Sequence, residues 1–241
     1  MIDLHCHILP GLDDGPELLS ESLQMARQAI ADGIREIVAT PHFLEWRPKA
    51  ISSYLAQAVE ARDEFARALK KDGLDLKVRL GFEVALSPEL PELAAEFPAL
   101  TFEGLQKYIL LELPSLQVPI YTEEVLFELQ AQGICPIIAH PERNQALCED
   151  PEILEGWVER GVLAQATASS FRQRGKVLES WCRRGFIQLV GSDAHSAAHR
   201  PPVLSPAFKV LERWVGEDRA DWIKRQPARI LAGKEVEASF E

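Results

Sequence analysis

A chain of 241 residues with 46% hydrophobic side chains is long enough to bury a large core, and barrels of alternating strand and helix commonly reach this length as one unit. Its 37 Asp and Glu against 26 Lys and Arg leave a net charge of -11, which argues against a nucleic-acid backbone as an extended partner. There is no long unbroken apolar run and the N-terminus enters directly on an apolar strand, so neither a signal peptide nor membrane insertion is expected, and the chain reads as cytoplasmic with Cys6, Cys135, Cys148 and Cys182 reduced.

In chain order, the first strand is read over 2–5. An amphipathic helix over 17–32 follows it, where Leu19, Leu23, Ala26 and Ile30 recur every three or four positions. Next come a strand over 34–40, a helix over 52–72, and strands over 77–83 and 108–113. A helix over 122–132 leads to strands over 135–139 and 162–166, then a helix over 172–184 and a strand over 187–191. Glycine closes several of the amphipathic stretches, as Gly33 and Gly133 do. Alternating strands and helices imply a parallel sheet with helical crossovers. Closure into a barrel is expected, because an open sheet would leave two edges. The open, doubly wound sheet is the alternative. Residues 1–241 are expected to form a single domain.

The ligand-type side chains fall at strand ends. His5 and His7 close the first strand, His42 stands in "VATPH", His140 in "PIIAHPER" and His195 in "LVGSDAH". Glu83 ends the third strand, Glu112 sits in "ILLELP", and Asp193 ends the last strand. In a parallel barrel all these ends open on one face, where such proteins keep their chemistry. A lone strand histidine is more often a hydrogen-bonded core residue than a ligand. Eight such groups at six strand ends are harder to account for that way, since buried carboxylates and imidazoles without a cation are costly. Histidine mixed with carboxylate suits zinc, manganese or iron, whereas a structural zinc site favours cysteine. With Asp14 the set exceeds what one ion needs, so two or three ions sharing carboxylates are expected. Such clusters clamp the attacking and leaving oxygens of phosphoryl transfer.

Arg143 and Arg200 follow the His140 and His195 motifs. A guanidinium fork suits the oxygens of a phosphate, and a salt bridge to a rim carboxylate is the plainer alternative. None of the four cysteines has arginine six positions on, as a cysteine-based phosphatase loop requires. Cys6 alternates with His5 and His7 and so points away from them, into packing.

Together "DLHCHILPGLDDGP", "ATPH", "GFE", "LLELP", "AHPER" and "GSDAH" resemble the PHP (polymerase and histidinol phosphatase) superfamily, nearly end to end. Within it, "HCHILPGLDDGP" is similar to the bacterial metal-dependent tyrosine phosphatases of the CpsB/CapC/YwqE type. The resemblance implies a distorted (β/α)7 TIM-like barrel with three divalent ions, Mn2+ before Fe or Zn. It places one ion on His5, His7, Glu83 and Asp193, a second on Glu83, Glu112 and His140, and a third on Asp14, His42 and His195. Arg143 and Arg200 take the places of phosphate-binding arginines, and with Asp14 form the catalytic set. The implied substrate is phosphotyrosine on the tail of a bacterial tyrosine autokinase that regulates capsule or exopolysaccharide synthesis, and homo-oligomerisation is left open. A small-molecule phosphatase of histidinol-phosphatase type and a non-catalytic module docking on a kinase are the alternatives. The chain departs from the family after "TPH", where it reads "FLEWRPKA". Phe43, Trp46 and Arg47 are expected at the site mouth, the last two as substrate contacts.

Overall fold

Every strand pairing in the computed structural model, which describes residues 1–44 and 48–236, is parallel. The strands are β1 (Ile2–Cys6), β2 (Glu36–Ala39), β3 (His42–Phe43), β4 (Lys77–Leu80), β5 (Glu83–Ala85), β6 (Tyr108–Glu112), β7 (Cys135–Ala139), β8 (Leu163–Thr167) and β9 (Leu189–Gly191). They pair in the orders β1-β2-β4 and β3-β5-β6-β7-β8-β9. Two of the expected strands are bent rather than straight. Pro41, which has no N–H for the ladder, separates β2 from β3, and Gly81 and Phe82 separate β4 from β5. A Cβ at Gly81 would fall 2.5 Å from the Phe102 ring, so the close approach requires glycine. Hydrogen bonds from Gly81 N–H to Ala39 O (2.9 Å) and from Glu83 N–H to Pro41 O (3.3 Å) carry the pairing across the bend.

The sheet closes on itself. Cys6 bridges Ala194 in parallel, His7 N–H donates to Ala194 O and Asp193 N–H to His5 O, both at 2.8 Å. The bent pairs count as one stave each, so the barrel is the expected closed one and the open sheet is excluded.

The helices are α1 (Leu19–Ala31), α2 (Pro48–Lys71), α3 (Leu90–Glu96), α4 (Thr122–Ala131), α5 (Gln145–Glu149), α6 (Glu152–Glu159), α7 (Ser170–Gln173), α8 (Gly175–Arg184), α9 (Ser205–Val215) and α10 (Glu217–Leu231). The helix expected over 172–184 is broken at Arg174, between α7 and α8. Successive strand residues face opposite sides. Along β6, Leu110 joins the barrel interior while Ile109 and Leu111 pack outward under the helices. Leu4, Val38, Leu110, Ile137, Leu163 and Leu189 fill the interior, and Ile230 and Leu231 of α10 pack against them. This apolar fill leaves the other end of the barrel for polar chemistry. Among the described residues no helix is long and apolar enough to cross a membrane.

Candidate metal centre

A bulge in β1 aims the first ligand. Asp3 pairs with Ile37 and Cys6 with Ala39, so β1 spends one more residue than β2 over that stretch. Leu4 faces the interior cluster and Cys6 the outer core, and the extra residue lets His5 turn inward as well. Bulges commonly re-aim side chains in this way. The buried Asp3 carboxylate accepts the His5 N–H (3.2 Å) and the Ser192 N–H (3.0 Å), tying the bulge to the end of β9.

Both imidazoles of the "HCH" motif are then locked from behind. Gln165 Oε1 accepts from His5 Nδ1 at 2.9 Å and Asp13 Oδ2 accepts from His7 Nδ1 at 2.6 Å. In the neutral rings this turns both Nε2 lone pairs inward. The two Nε2 atoms lie 3.2 Å apart, each 3.1 Å from Glu83 Oε2. That oxygen is fully buried with no hydrogen bond, and so is the nearby His42 Nδ1, 3.2 Å away. Three nitrogens crowd one buried carboxylate oxygen, and its charge is costly unless a cation sits among them, either a proton on a ring or a metal. The imidazole and carboxylate donors fit a divalent transition metal.

All nine expected ligand side chains gather at this mouth. Three groups have ligand atoms within 4.8 Å of one another: His5, His7, Glu83 and Asp193; His7, Asp14, His42 and His195; and His42, Glu83 and Glu112. His140 lies beside the last, its Nε2 at 2.7 Å from Glu83 Oε1 and 3.9 Å from Glu112 Oε1. Relative to the resemblance, His42 approaches Glu83 and Glu112 together with His140, and His7 adds to the group of Asp14. Burial is graded: the first group is fully buried, whereas the Asp14 side chain is 64% exposed at the rim.

Electrostatics point the same way. Burial opposes ionisation of Glu83, but the imidazoles around it, His5 first, hold its carboxyl well below the usual range. Burial likewise works against charge on His7, yet Asp13 and Glu83 hold its imidazole up at about 10. Burial, His7 and Arg200 together press His195 down to about 4, and burial with the Glu83 charge pushes the Glu112 carboxyl up. The deep carboxylates retain positive charge even on a buried ring, as a cation site should.

The backbone bends sharply where two of these side chains leave it. His140 and Asp193 have φ of 32° and 52°, a left-handed conformation that costs a non-glycine residue strain and collects at functional sites. At His140 the turn leads into the short 3-10 segment Pro141–Arg143, bringing Arg143 back to the mouth. Arg143 and Arg200 both reach Asp193 Oδ2, at 2.5 and 2.6 Å, so each is salt-bridged, but to a buried carboxylate of the ligand set rather than to one at the rim. Asp193 Oδ1 meanwhile faces His5 and His195, at 3.5 Å from each.

One mouth expectation fails. Phe43 is fully buried, packed against Tyr54 and Phe82, because β3 pairs with β5 there and turns it into the core. Trp46 and Arg47 lie outside the described residues. Beside Asp14 the described residues Leu12, Asp13, Asp14, His42, Leu44 and Tyr54 line a cleft of about 510 Å³. Cys6 is a buried core thiol as expected, its pKa raised by burial.

Known proteins resemble this chain along almost its whole length. The family "Capsular polysaccharide synthesis, CpsB/CapC" matches residues 1–232. The tyrosine-protein phosphatase YwqE of Bacillus subtilis is 38% identical over 223 residues, 90% of this chain and 86% of its own. The putative tyrosine-protein phosphatase CapC of Staphylococcus aureus is 34% identical, covering 86% of this chain and 82% of its own. A solved structure from a study of YwqE of Bacillus subtilis and CpsB of Streptococcus pneumoniae, described as metal-dependent tyrosine phosphatases, superposes with a TM-score of 0.90 at 33% identity over 98% of this chain and 96% of that one. A β-aspartyl dipeptidase from Fervidobacterium islandicum shares the fold alone, with a TM-score of 0.55 at 16% identity over 98% of this chain and 74% of that one.

Proposed function

The chain belongs to the CpsB/CapC family of capsular polysaccharide synthesis, as a metal-dependent tyrosine-protein phosphatase, and on that premise we propose that it dephosphorylates phosphotyrosine on the tail of a bacterial tyrosine autokinase controlling capsule or exopolysaccharide synthesis. The observation that carries the metal chemistry is the unpaired Glu83 Oε2 with His5 Nε2 and His7 Nε2 each at 3.1 Å. Three divalent ions, manganese first, are the proposed complement. His5, His7, Glu83 and Asp193 would hold the deepest, Glu83, Glu112 and His140 the second, and Asp14, His42 and His195 the outermost. When bound, such ions supply Lewis acidity and activate water at neutral pH.

The protein's own groups do the rest. Gln165 and Asp13 keep the ring nitrogens of His5 and His7 aimed inward, the usual task of groups behind metal-binding histidines. Arg143 and Arg200 each commit one nitrogen to Asp193; their remaining donors would orient the phosphate oxygens, where negative charge builds in phosphoryl transfer. Asp14, the most exposed of the ligands, would meet the substrate at the rim. The apolar faces of Leu12, Leu44 and Tyr54 in the adjoining cleft suit a phenyl ring. A panel of phosphotyrosyl peptide, phosphoseryl peptide and histidinol phosphate tests the reading. The phosphotyrosyl peptide is expected to give the highest kcat/KM. A higher value for histidinol phosphate would remove the protein substrate and leave the metal centre standing.

A further inference from the structure

We propose that a second pocket, on the side of Arg143 and Arg200 away from the aryl cleft, binds an anionic side chain flanking the phosphotyrosine of the same substrate. This rests on the phosphotyrosyl-protein reading above. The pocket has a volume of about 570 Å³ and is lined by Arg143, Arg172, His199 and Arg200, with Ser169 and Ser192 among its polar walls. Among the described residues its one acidic lining residue, Asp193, is only 2% exposed and already holds both Arg143 and Arg200. Arg172, on α7, is exposed, and among the described residues its guanidinium has no acidic partner. In a chain of net charge -11, a hollow with this cationic excess runs against the overall charge.

Its position gives the ligand class. Asp14 and His42 line the aryl cleft and Asp193 lines this pocket, so the two hollows flank one cluster. A residue flanking a phosphotyrosine whose ring enters the first would reach the second by crossing the mouth. Guanidinium forks pair best with carboxylate or phosphoryl oxygens, so glutamate and a second phosphotyrosine are the two sources to separate.

Three peptides with one shared phosphotyrosine and a flanking glycine, glutamate or second phosphotyrosine distinguish them, assayed on wild type, Arg172→Lys and Arg172→Glu. On wild type at low salt, at least one anionic peptide should exceed the glycine peptide in kcat/KM by roughly tenfold, the size of one charge-assisted contact. Preference for both anionic peptides assigns a general anion site; preference for the second phosphotyrosine alone assigns a phosphoryl site. Arg172→Lys, which keeps the charge and loses the fork, should retain only part of the ratio, and Arg172→Glu should bring it to about one or below. Equal kcat/KM for all three on wild type, or a ratio that survives Arg172→Glu, overturns the subsite while leaving the phosphatase intact. Turnover of p-nitrophenyl phosphate with none of any phosphotyrosyl peptide would remove the substrate reading and the subsite together.

Discussion

Asp13 accepts hydrogen bonds from His7 Nδ1, the His42 N–H and the Gly15 N–H, while Asp14, one position on, points outward to His195 and His42. Residue type and spacing place both at the site but do not choose between ligand and support. That choice is made by which direction the loop turns each carboxylate. The sequence offers Asp14 as a ligand candidate, but the supporting role of Asp13 shows only in the folded loop. Gln165 left a clearer trace, as a polar residue inside the apolar run 162–166, where a buried amide must find a partner. Removal of the Asp13 carboxylate frees the His7 ring without touching a proposed ligand. Asp13→Ala is expected to lower metal affinity or turnover about 10- to 100-fold, read as activity against limiting Mn2+. Wild-type dependence on the metal would show that His7 needs no such support.

The elements were legible where periodicity sets them, and less so where backbone geometry bends them. Apolar runs and amphipathic stretches located the main strands and the helices α1, α2, α4 and α8 but not α9 or α10, and the parallel order followed from their alternation. Neither the bends at Pro41 and Gly81, nor the β1 bulge, nor the left-handed turns at His140 and Asp193 shows in hydrophobic pattern, because each answers to a contact distant in sequence. Gly191 illustrates the point. It ends β9, and an added Cβ would fall 2.7 Å from Gln165 Oε1 and 2.8 Å from His5 Cβ. Only glycine lets β8 and β1 approach closely enough for the Gln165–His5 bond. Gly191→Ala should thus cost about 1–3 kcal/mol by overpacking, seen as a lowered Tm, and should reduce bound metal as His5 is displaced. A variant with unchanged metal content and Tm would mean that the barrel absorbs a methyl there.

Across the molecule, an apolar barrel floor, a buried set of imidazoles and carboxylates, and an open rim follow one another along a single axis. The deep carboxylates hold the His7 imidazole up at about 10, so in the metal-free protein at pH 8 that ring carries an extra proton. His195, pressed down to about 4, is neutral there, and Glu83, held low, is already ionised. A metal needs the His7 lone pair and must displace its proton, so loading should release about one proton or more, and affinity should rise with pH. Calorimetric titration of Mn2+ at pH 8 in two buffers of different ionisation enthalpy reads this directly; identical heats would contradict it. The central claim is that this cluster, filled with metal, hydrolyses phosphotyrosine. The most direct test strips the purified protein with chelator, restores Mn2+ stepwise, and follows bound metal together with phosphate release from a phosphotyrosyl peptide. Turnover should vanish on stripping and return in proportion to metal bound, whereas a stripped protein that still releases phosphate at its original rate would contradict the account.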